Sequence, residues 1–220
     1  MVTKKQNEAI NLYAAIMEEA KIRLNSIDMA LAGTTILPHQ LVREFCFLQL
    51  RMLCELIALG CLTAHGDVVE ATKLRNEWAA DKISDRLEKL NPDFYPQPVK
   101  QISEPYGYTL ERLDNGSLSR DELASLNGRC GDVLHRGNLK KLLSEKTPIQ
   151  NKFPDIHSWA RKINLLLHAH CIRLHDGNFI ICMLRNFNDN NRVQVAFAES
   201  SAPPPESLGG PKADQPPSTE

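Results

Sequence analysis

Residues 127–138 concentrate polar chemistry and glycine in a stretch that otherwise has the pattern of a helix. Gly128 and Gly131 precede His135 by seven and four residues, so both glycines lie on the helix surface next to the histidine. Each glycine costs about 1 kcal/mol in a helix interior relative to alanine. We therefore expect a close approach beside His135, by another helix backbone, a partner chain or a substrate.

Charged side chains surround the same position. Asp132 lies three residues from both Arg129 and His135, which are therefore its neighbours on a helix surface. Arg136, four residues beyond Asp132, is also within its reach. One interpretation is a close-packed helix with salt-bridged surface groups, whose last cations complement the helix dipole. The other is a surface that binds a partner or a substrate, and the spacing alone leaves both open.

Arg129 and His135, separated by five residues late in a chain rich in helical patterns, resemble the R-x(4-6)-H motif of the HEPN superfamily. Members are small helical bundles, and many are metal-independent ribonucleases of toxin–antitoxin, abortive-infection and other defence systems. The resemblance covers residues 10–175 as architecture. Cys130 departs from it, because members often have a polar residue directly after the arginine. A regular helix also separates the two side chains by about 120°, so a helix break or a two-fold partner must bring them together.

The resemblance implies RNA cleavage by the substrate's own 2′-hydroxyl group. His135 would act as general base or acid, because histidine side chains exchange protons near neutral pH. Arg129 would bind the phosphate and stabilise its developing charge, and Asp132 would orient either group. Further residues expected to bind the substrate are Arg136, Asn138 and Arg51.

The resemblance also implies partners and cofactors. We expect a cytoplasmic endoribonuclease of a toxin or phage-defence system, with no metal and no other cofactor. The partners expected are a second copy in a homodimer, an RNA substrate, and an antitoxin or other protein, without a membrane. The alternative is a non-catalytic helical bundle of the same ancestry that binds a protein partner or a nucleotide.

A second group of residues suggests metal binding. His168, Cys171 and His175 follow steps of three and four residues in the last helical pattern, with His170 alongside. Neighbouring pairs would reach an ion, but all three span two turns, and closed zinc sites normally have four ligands. A histidine-rich helix face at a packing seam is the alternative, and we expect no metal site.

Composition limits the classes of function. The chain has 220 residues and a net charge of −1, so no global basic field indicates nucleic acid or an acidic membrane. The N-terminal segment lacks an apolar signal core, which argues against secretion. Six cysteines occur without a CxxC pair and are predicted to be free and mostly buried, as in a reducing compartment: Cys46, Cys54, Cys61, Cys130, Cys171 and Cys182.

Helical periodicity predicts five helices, over about 10–33, 38–66, 70–90, 119–137 and 153–176. The second contains the apolar run 45–62, which has polar residues in its middle and is predicted to be the core helix rather than a membrane span. Glu44, Arg51 and Glu55 share one stripe of it, which is either a solvated seam or one wall of a polar groove. Ser119 and Glu122 form a capping box that starts the fourth helix.

The remaining segments predict little strand. Residues 92–116, rich in proline and aromatic side chains, are expected to be an ordered loop packed on the helices. Alternation of apolar and polar residues near 193–197 predicts a β-hairpin over about 178–199. We therefore expect a mainly α, all-α type of fold, a bundle of about five helices with a small C-terminal β-hairpin. It forms one domain over 1–199, and 200–220 form a disordered tail.

Overall fold

Helices and strands alternate along the chain in the computed structural model, which describes residues 3–33, 35–66, 74, 76–77, 79–104, 107–114, 116–135, 153–186 and 189–200. The helices within these ranges are α1 (Lys4–Leu31), α2 (His39–Ala64), α3 (Ala80–Leu90), α4 (Arg120–Leu134) and α5 (Pro154–Leu167). The strands are β1 (Gln97–Glu104), β2 (Gly107–Arg112), β3 (Ala169–Arg173), β4 (Phe179–Asn186) and β5 (Arg192–Ala198).

The strands form one antiparallel sheet in the order β2-β1-β3-β4-β5. α1 packs against β4 and β5, α5 packs against β1, β3 and β4, and the two helices also contact each other. Both therefore lie on one face of the sheet. α2 packs on α1 and α5 and also contacts α3 and α4. The architecture is α+β, with helices on one face of an antiparallel sheet.

The prediction of a mainly α bundle with a small hairpin, and with it the all-α description, is wrong. A five-stranded sheet accompanies the five helices of the described ranges. Much of the segment 92–116, predicted to be a loop, forms the β1–β2 hairpin. Pro98 lies near the start of β1, where its missing N–H is tolerated, and its carbonyl accepts a hydrogen bond from the Leu113 N–H.

The last predicted helix is also too long. α5 ends at Leu167, and the following residues form β3 at the centre of the sheet. Burial alternates along β3, because His170 and Ile172 are buried and the residues on either side are only half-buried. This two-residue period is that of a strand with one face on the core. In the sequence, the helical spacing of the histidines and Cys171 obscured this two-residue period.

The predicted C-terminal strand pair is present as β4 and β5, with Ile180 opposite Phe197 and Cys182 opposite Val195. It is two strands of a larger sheet rather than a separate small hairpin. The tail residues from 201 onward lie outside the described part of the chain.

The core helix predicted around 45–62 is confirmed as α2. By length and composition α2 is apolar enough to cross a membrane, but 61% of its most apolar part is buried inside the fold. Gly60 is where α1 approaches α2 most closely among the described glycines. A Cβ at Gly60 would lie 3.2 Å from Cε of Met17 and 3.2 Å from Cε2 of Tyr13. A larger residue there would force these two side chains to shift.

Candidate functional site

α4 carries the residues that the motif singles out, and its first turn fixes it in place. The predicted capping box is present, with the Ser119 Oγ accepting from the Glu122 N–H at 3.2 Å and Glu122 Oε2 accepting from the Ser119 N–H at 3.1 Å. Lys162 of α5 forms an ion pair with Glu122. The Lys162 hydrogen bond, followed by the bond from the Ser119 backbone, lowers the pKa of the Glu122 carboxyl. α4 is thus anchored to α5 at its start.

The other end of α4 is exposed. The helix ends at Leu134, and His135 caps it, with its N–H donating to the Gly131 carbonyl at 2.9 Å. The backbone of His135 is extended, with φ −86° and ψ 125°, so the chain leaves the helix there. The His135 side chain reaches solvent, as does that of Asp132. The helix therefore breaks only at His135 itself, and not between Arg129 and His135 as the motif needs.

Arg129 is held by a neighbouring helix. Its Nη2 donates to Oδ2 of Asp155, in the first turn of α5. Both side chains are about half exposed, at 47% and 49%. Exposed ion pairs contribute about 0.2 to 1 kcal/mol to stability, so this pair orients Arg129 more than it stabilises the fold.

Arg51 lies on α2, near the same buried thiol as Arg129. Its Nε donates to Oε1 of Glu55 at 3.2 Å, the i,i+4 pair that a solvated seam predicts. Burial raises the pKa of the Cys130 thiol to about 12, and the positive charges of Arg51 and Arg129 oppose this rise. Both guanidinium groups therefore lie near Cys130, which packs between α2 and α4.

The structure brings the predicted residues together only in part. Within the ranges that the structure describes, no hydrogen bond or ion pair joins Arg129 to His135. A regular helix still runs between them, which keeps the two side chains on different faces. Arg136 and Asn138 lie outside the described residues. Arg51 and Arg129 both act on the Cys130 thiol, whereas His135 lies at the helix end.

The glycines of α4 lie beside open space rather than another helix. A Cβ added at Gly128 or at Gly131 would meet no atom of the described chain within 4 Å. Among the described residues, no other helix therefore approaches α4 at these positions, and the close contact falls at Gly60, with the side chains of Met17 and Tyr13. The alternatives of a partner chain or a substrate stay predictions. The sequence shows where a glycine is, but not what lies opposite it.

The histidines and Cys171 of the last helical pattern do not form a metal site. His168 caps α5, Cys171 is half-buried in β3, and His175 lies in the turn that follows. Among the described residues, no group of three His, Cys, Asp or Glu side chains is placed to hold a metal ion.

His170, noted in the sequence only as a neighbour of that group, is fully buried. The hydroxyl of Tyr13 lies 2.6 Å from its Nε2, and its Nδ1 lies 3.1 Å from the Leu167 carbonyl oxygen. A neutral imidazole satisfies both contacts, with Nδ1–H donating to the carbonyl and Nε2 accepting from the hydroxyl. Burial lowers the pKa of His170 to about 4. His170 is therefore a neutral packing element of the core.

Sequence reasoning missed a cleft of about 700 Å³ between the start of the β1–β2 hairpin and the start of α4. Prolines and aromatic residues form one wall, including Pro96 and the buried Tyr95, whose hydroxyl donates to the Leu118 carbonyl at 3.1 Å. Arg112 and Arg120 also line it, and Arg120 is paired with Glu88. The proline and aromatic density of 92–108 was the available signal, but it does not show which α-helix lies opposite.

Comparison of the chain with family models, with curated proteins and with solved structures gives no match.

Proposed function

We propose that the protein is an endoribonuclease of a toxin or phage-defence system, with Arg129 and His135 at the reacting phosphate. The observation that carries the proposal is the exposed end of α4. Both side chains reach solvent there, beside glycines that leave the helix surface open. The five-stranded sheet is compatible with this proposal, because the chemistry needs a local site and not an all-helical fold.

The proposed reaction uses the 2′-hydroxyl of the substrate as the nucleophile. The His135 imidazole takes the proton from this hydroxyl while its oxygen attacks the adjacent phosphorus. The bond from phosphorus to the 5′-oxygen breaks, and the leaving oxygen receives a proton from the imidazolium or from water. The products are a 2′,3′-cyclic phosphate and a free 5′-hydroxyl. General acid–base catalysis of this kind contributes about 10² to 10⁴ in rate.

Arg129 is suited to the phosphate. A guanidinium has several N–H donors in a planar fork, and Asp155 receives a hydrogen bond from only one nitrogen of Arg129. The remaining donors would bind two phosphate oxygens. Because Asp155 is itself half exposed, an incoming phosphate competes with it for the same cation. Arg51, near the same thiol, would add positive charge from α2.

The test compares variants of the purified full chain on single-stranded RNA, with the cleaved ends analysed for the cyclic phosphate. We expect His135→Ala and Arg129→Ala each to lower the cleavage rate about 100-fold or more. The matched controls are His175→Ala, in the turn after β3, and Arg86→Ala on α3, both exposed residues outside α4 and outside the turn of α5 that holds Arg129, and these should cleave like the wild type.

The proposal fails if the wild type does not cleave RNA, or if His135→Ala and Arg129→Ala cleave as fast as their controls. Induction of the wild type in cells gives a second readout, because the proposed activity should arrest growth and the two α4 variants should not.

A non-catalytic domain that binds a protein partner or a nucleotide is the second candidate. Large apolar side chains exposed on α2 favour a protein partner, and the charges of Arg51 and Arg129 are each balanced by an acidic neighbour. Under this alternative the variants of α4 would change binding and not RNA cleavage.

A further inference from the structure

α2 carries an exposed row of large apolar residues. Leu41, Phe45, Leu48 and Met52 follow steps of four, three and four residues, which place them on one face of the helix. Leu41 and Leu48 are 45% and 43% exposed, and the other two are half-buried. We call these four residues the α2 stripe. The opposite face of α2 is buried in the core, so the stripe faces away from it.

One edge of the α2 stripe is polar. Gln40, Glu44, Arg51 and Glu55 follow this edge, with the Gln40 amide donating to Glu44 at 3.3 Å and Arg51 donating to Glu55 at 3.2 Å. Glu44 and Arg51 carry opposite charges and are separated by two turns, about 10 Å along the axis. An apolar row with ordered charges along one edge has the composition of a helix-pairing surface.

We propose that the α2 stripe is the contact between two copies of this chain, which pair α2 against α2 in antiparallel orientation. The two-fold axis passes between residues 46 and 47. Leu41 of each copy then lies opposite Met52 of the other, and Phe45 lies opposite Leu48. All four apolar positions are therefore matched by apolar positions, as an isologous interface requires.

The charges fit the same arrangement. A two-fold axis between antiparallel helices leaves the same edge of both helices on the same side. Glu44 of one copy is then beside Arg51 of the other, offset by about 3 Å along the axis, which side chains of this length span. A parallel pair would instead place the two polar edges on opposite sides of the contact, where Glu44 of one copy does not meet Arg51 of the other, so only the antiparallel pair gains this attraction.

The residues before α2 extend this surface. Ile36 is fully exposed and Leu37 is 46% exposed, immediately before the helix starts. In the antiparallel pair they lie beyond Met52 of the other copy and lengthen the apolar contact at both ends. Contiguous apolar side chains of this size on a surface mark interaction sites.

The experiment measures the mass of the full chain in solution by sedimentation equilibrium over a range of concentrations, without RNA. The proposal therefore stands or falls separately from the proposed ribonuclease activity. We expect a dimer for the wild type and an increase of about 100-fold or more in the dissociation constant for Leu48→Glu, because a charge would be buried at the centre. Leu12→Glu, at an equally exposed leucine of α1, should leave the dimer unchanged.

An exchange of the charges at Glu44 and Arg51 gives a second test, which holds even if Leu48→Glu does not fold. Glu44→Arg should weaken the dimer by opposing Arg51 of the other copy, and adding Arg51→Glu to it should restore the association. Circular dichroism checks that each variant keeps its helices. A monomeric wild type at all concentrations overturns the proposal. So does a dimer that tolerates Leu48→Glu as well as Leu12→Glu, or a double exchange that associates no better than Glu44→Arg.

Discussion

His170 lies in the layer between α1 and the sheet, whereas His135 lies at the exposed end of α4. The first is fully buried, bonded to Tyr13 on one side and to the Leu167 carbonyl on the other. The second reaches solvent where its helix stops. The interior makes a histidine neutral and fixed, and the surface leaves one able to meet a substrate. Burial and partners, more than residue type, decide what the side chain does.

Removal of the Tyr13 side chain should give the largest effect. Tyr13→Ala leaves a cavity beneath α2 and removes the partner of His170, so we expect a loss of about 3 to 5 kcal/mol in the free energy of unfolding. His135→Ala should change it by no more than about 0.5 kcal/mol, because the side chain is exposed. Urea unfolding followed by tryptophan fluorescence measures both. Equal losses would remove the contrast between core and surface.

The next largest effect is the pH dependence of stability, which should depend on His170 and not on His135. The pKa of His170 is lowered from 6.5 to about 4, so the unfolded chain binds this proton more readily than the folded one. The contribution of His170 to the free energy of unfolding is complete above pH 6.5. It is lost as pH falls toward 4, by an amount on the order of 3 kcal/mol. The lowered carboxyl pKa values of Glu18 and Glu122 act in the same direction, but only below about 4.5.

The measurement is the free energy of unfolding between pH 6.5 and 5, where those carboxyl groups contribute little. His170→Gln should flatten the pH dependence relative to the wild type, whereas His135→Ala should keep it. A wild type whose stability is constant over this range would contradict the buried neutral state of His170.

Substitution of two glycines, one in the core and one at the surface, should give the smallest changes in stability. Gly60→Ala places a methyl group 3.2 Å from Met17 and Tyr13, and we expect a loss of about 1 kcal/mol or more. Gly131→Ala places the methyl group in open space within a helix, and we expect a gain of about 0.5 to 1 kcal/mol. Thermal unfolding of the two variants should therefore shift in opposite directions. A loss at Gly131 would show that something does approach α4 there.

The parts of the fold that local patterns control could be predicted from sequence. α2 follows from its continuous apolar run, and the capping box of Ser119 and Glu122 places the start of α4 correctly. The sheet could not be predicted in the same way. Gln97 of β1 pairs with Cys171 of β3, a partner far along the chain that no local period indicates. Around β3, the spacing of His168, Cys171 and His175 also fits a helix, and the strand is shown by the alternating burial of His170 and Ile172.

In the candidate site, too, local features could be predicted from the sequence and contacts between helices could not. The pairing of Arg51 with Glu55 follows from short-range spacing, whereas the helix predicted to run to 137 ends at Leu134. The pairing of Arg129 with Asp155 and its proximity to Arg51 depend on how α2, α4 and α5 pack. Such contacts between helices depend on tertiary packing, which the spacing of residues along one helix does not encode.

The order of the strands also sets when the chain is able to fold during synthesis. α1 leaves the ribosome early, but the hydroxyl of Tyr13 meets its partner 157 residues later, and the Val193 N–H donates to Glu18 at 2.7 Å from still further along. β1 and β2 likewise cannot join β4 and β5 in the sheet until β3, which lies between the two pairs, has been synthesised. Contacts of such long sequence separation slow folding, because the ends of a long loop must meet first. The side of α1 that packs on β4 and β5 is therefore exposed until these last strands emerge, and a nascent chain is most prone to aggregate in that interval.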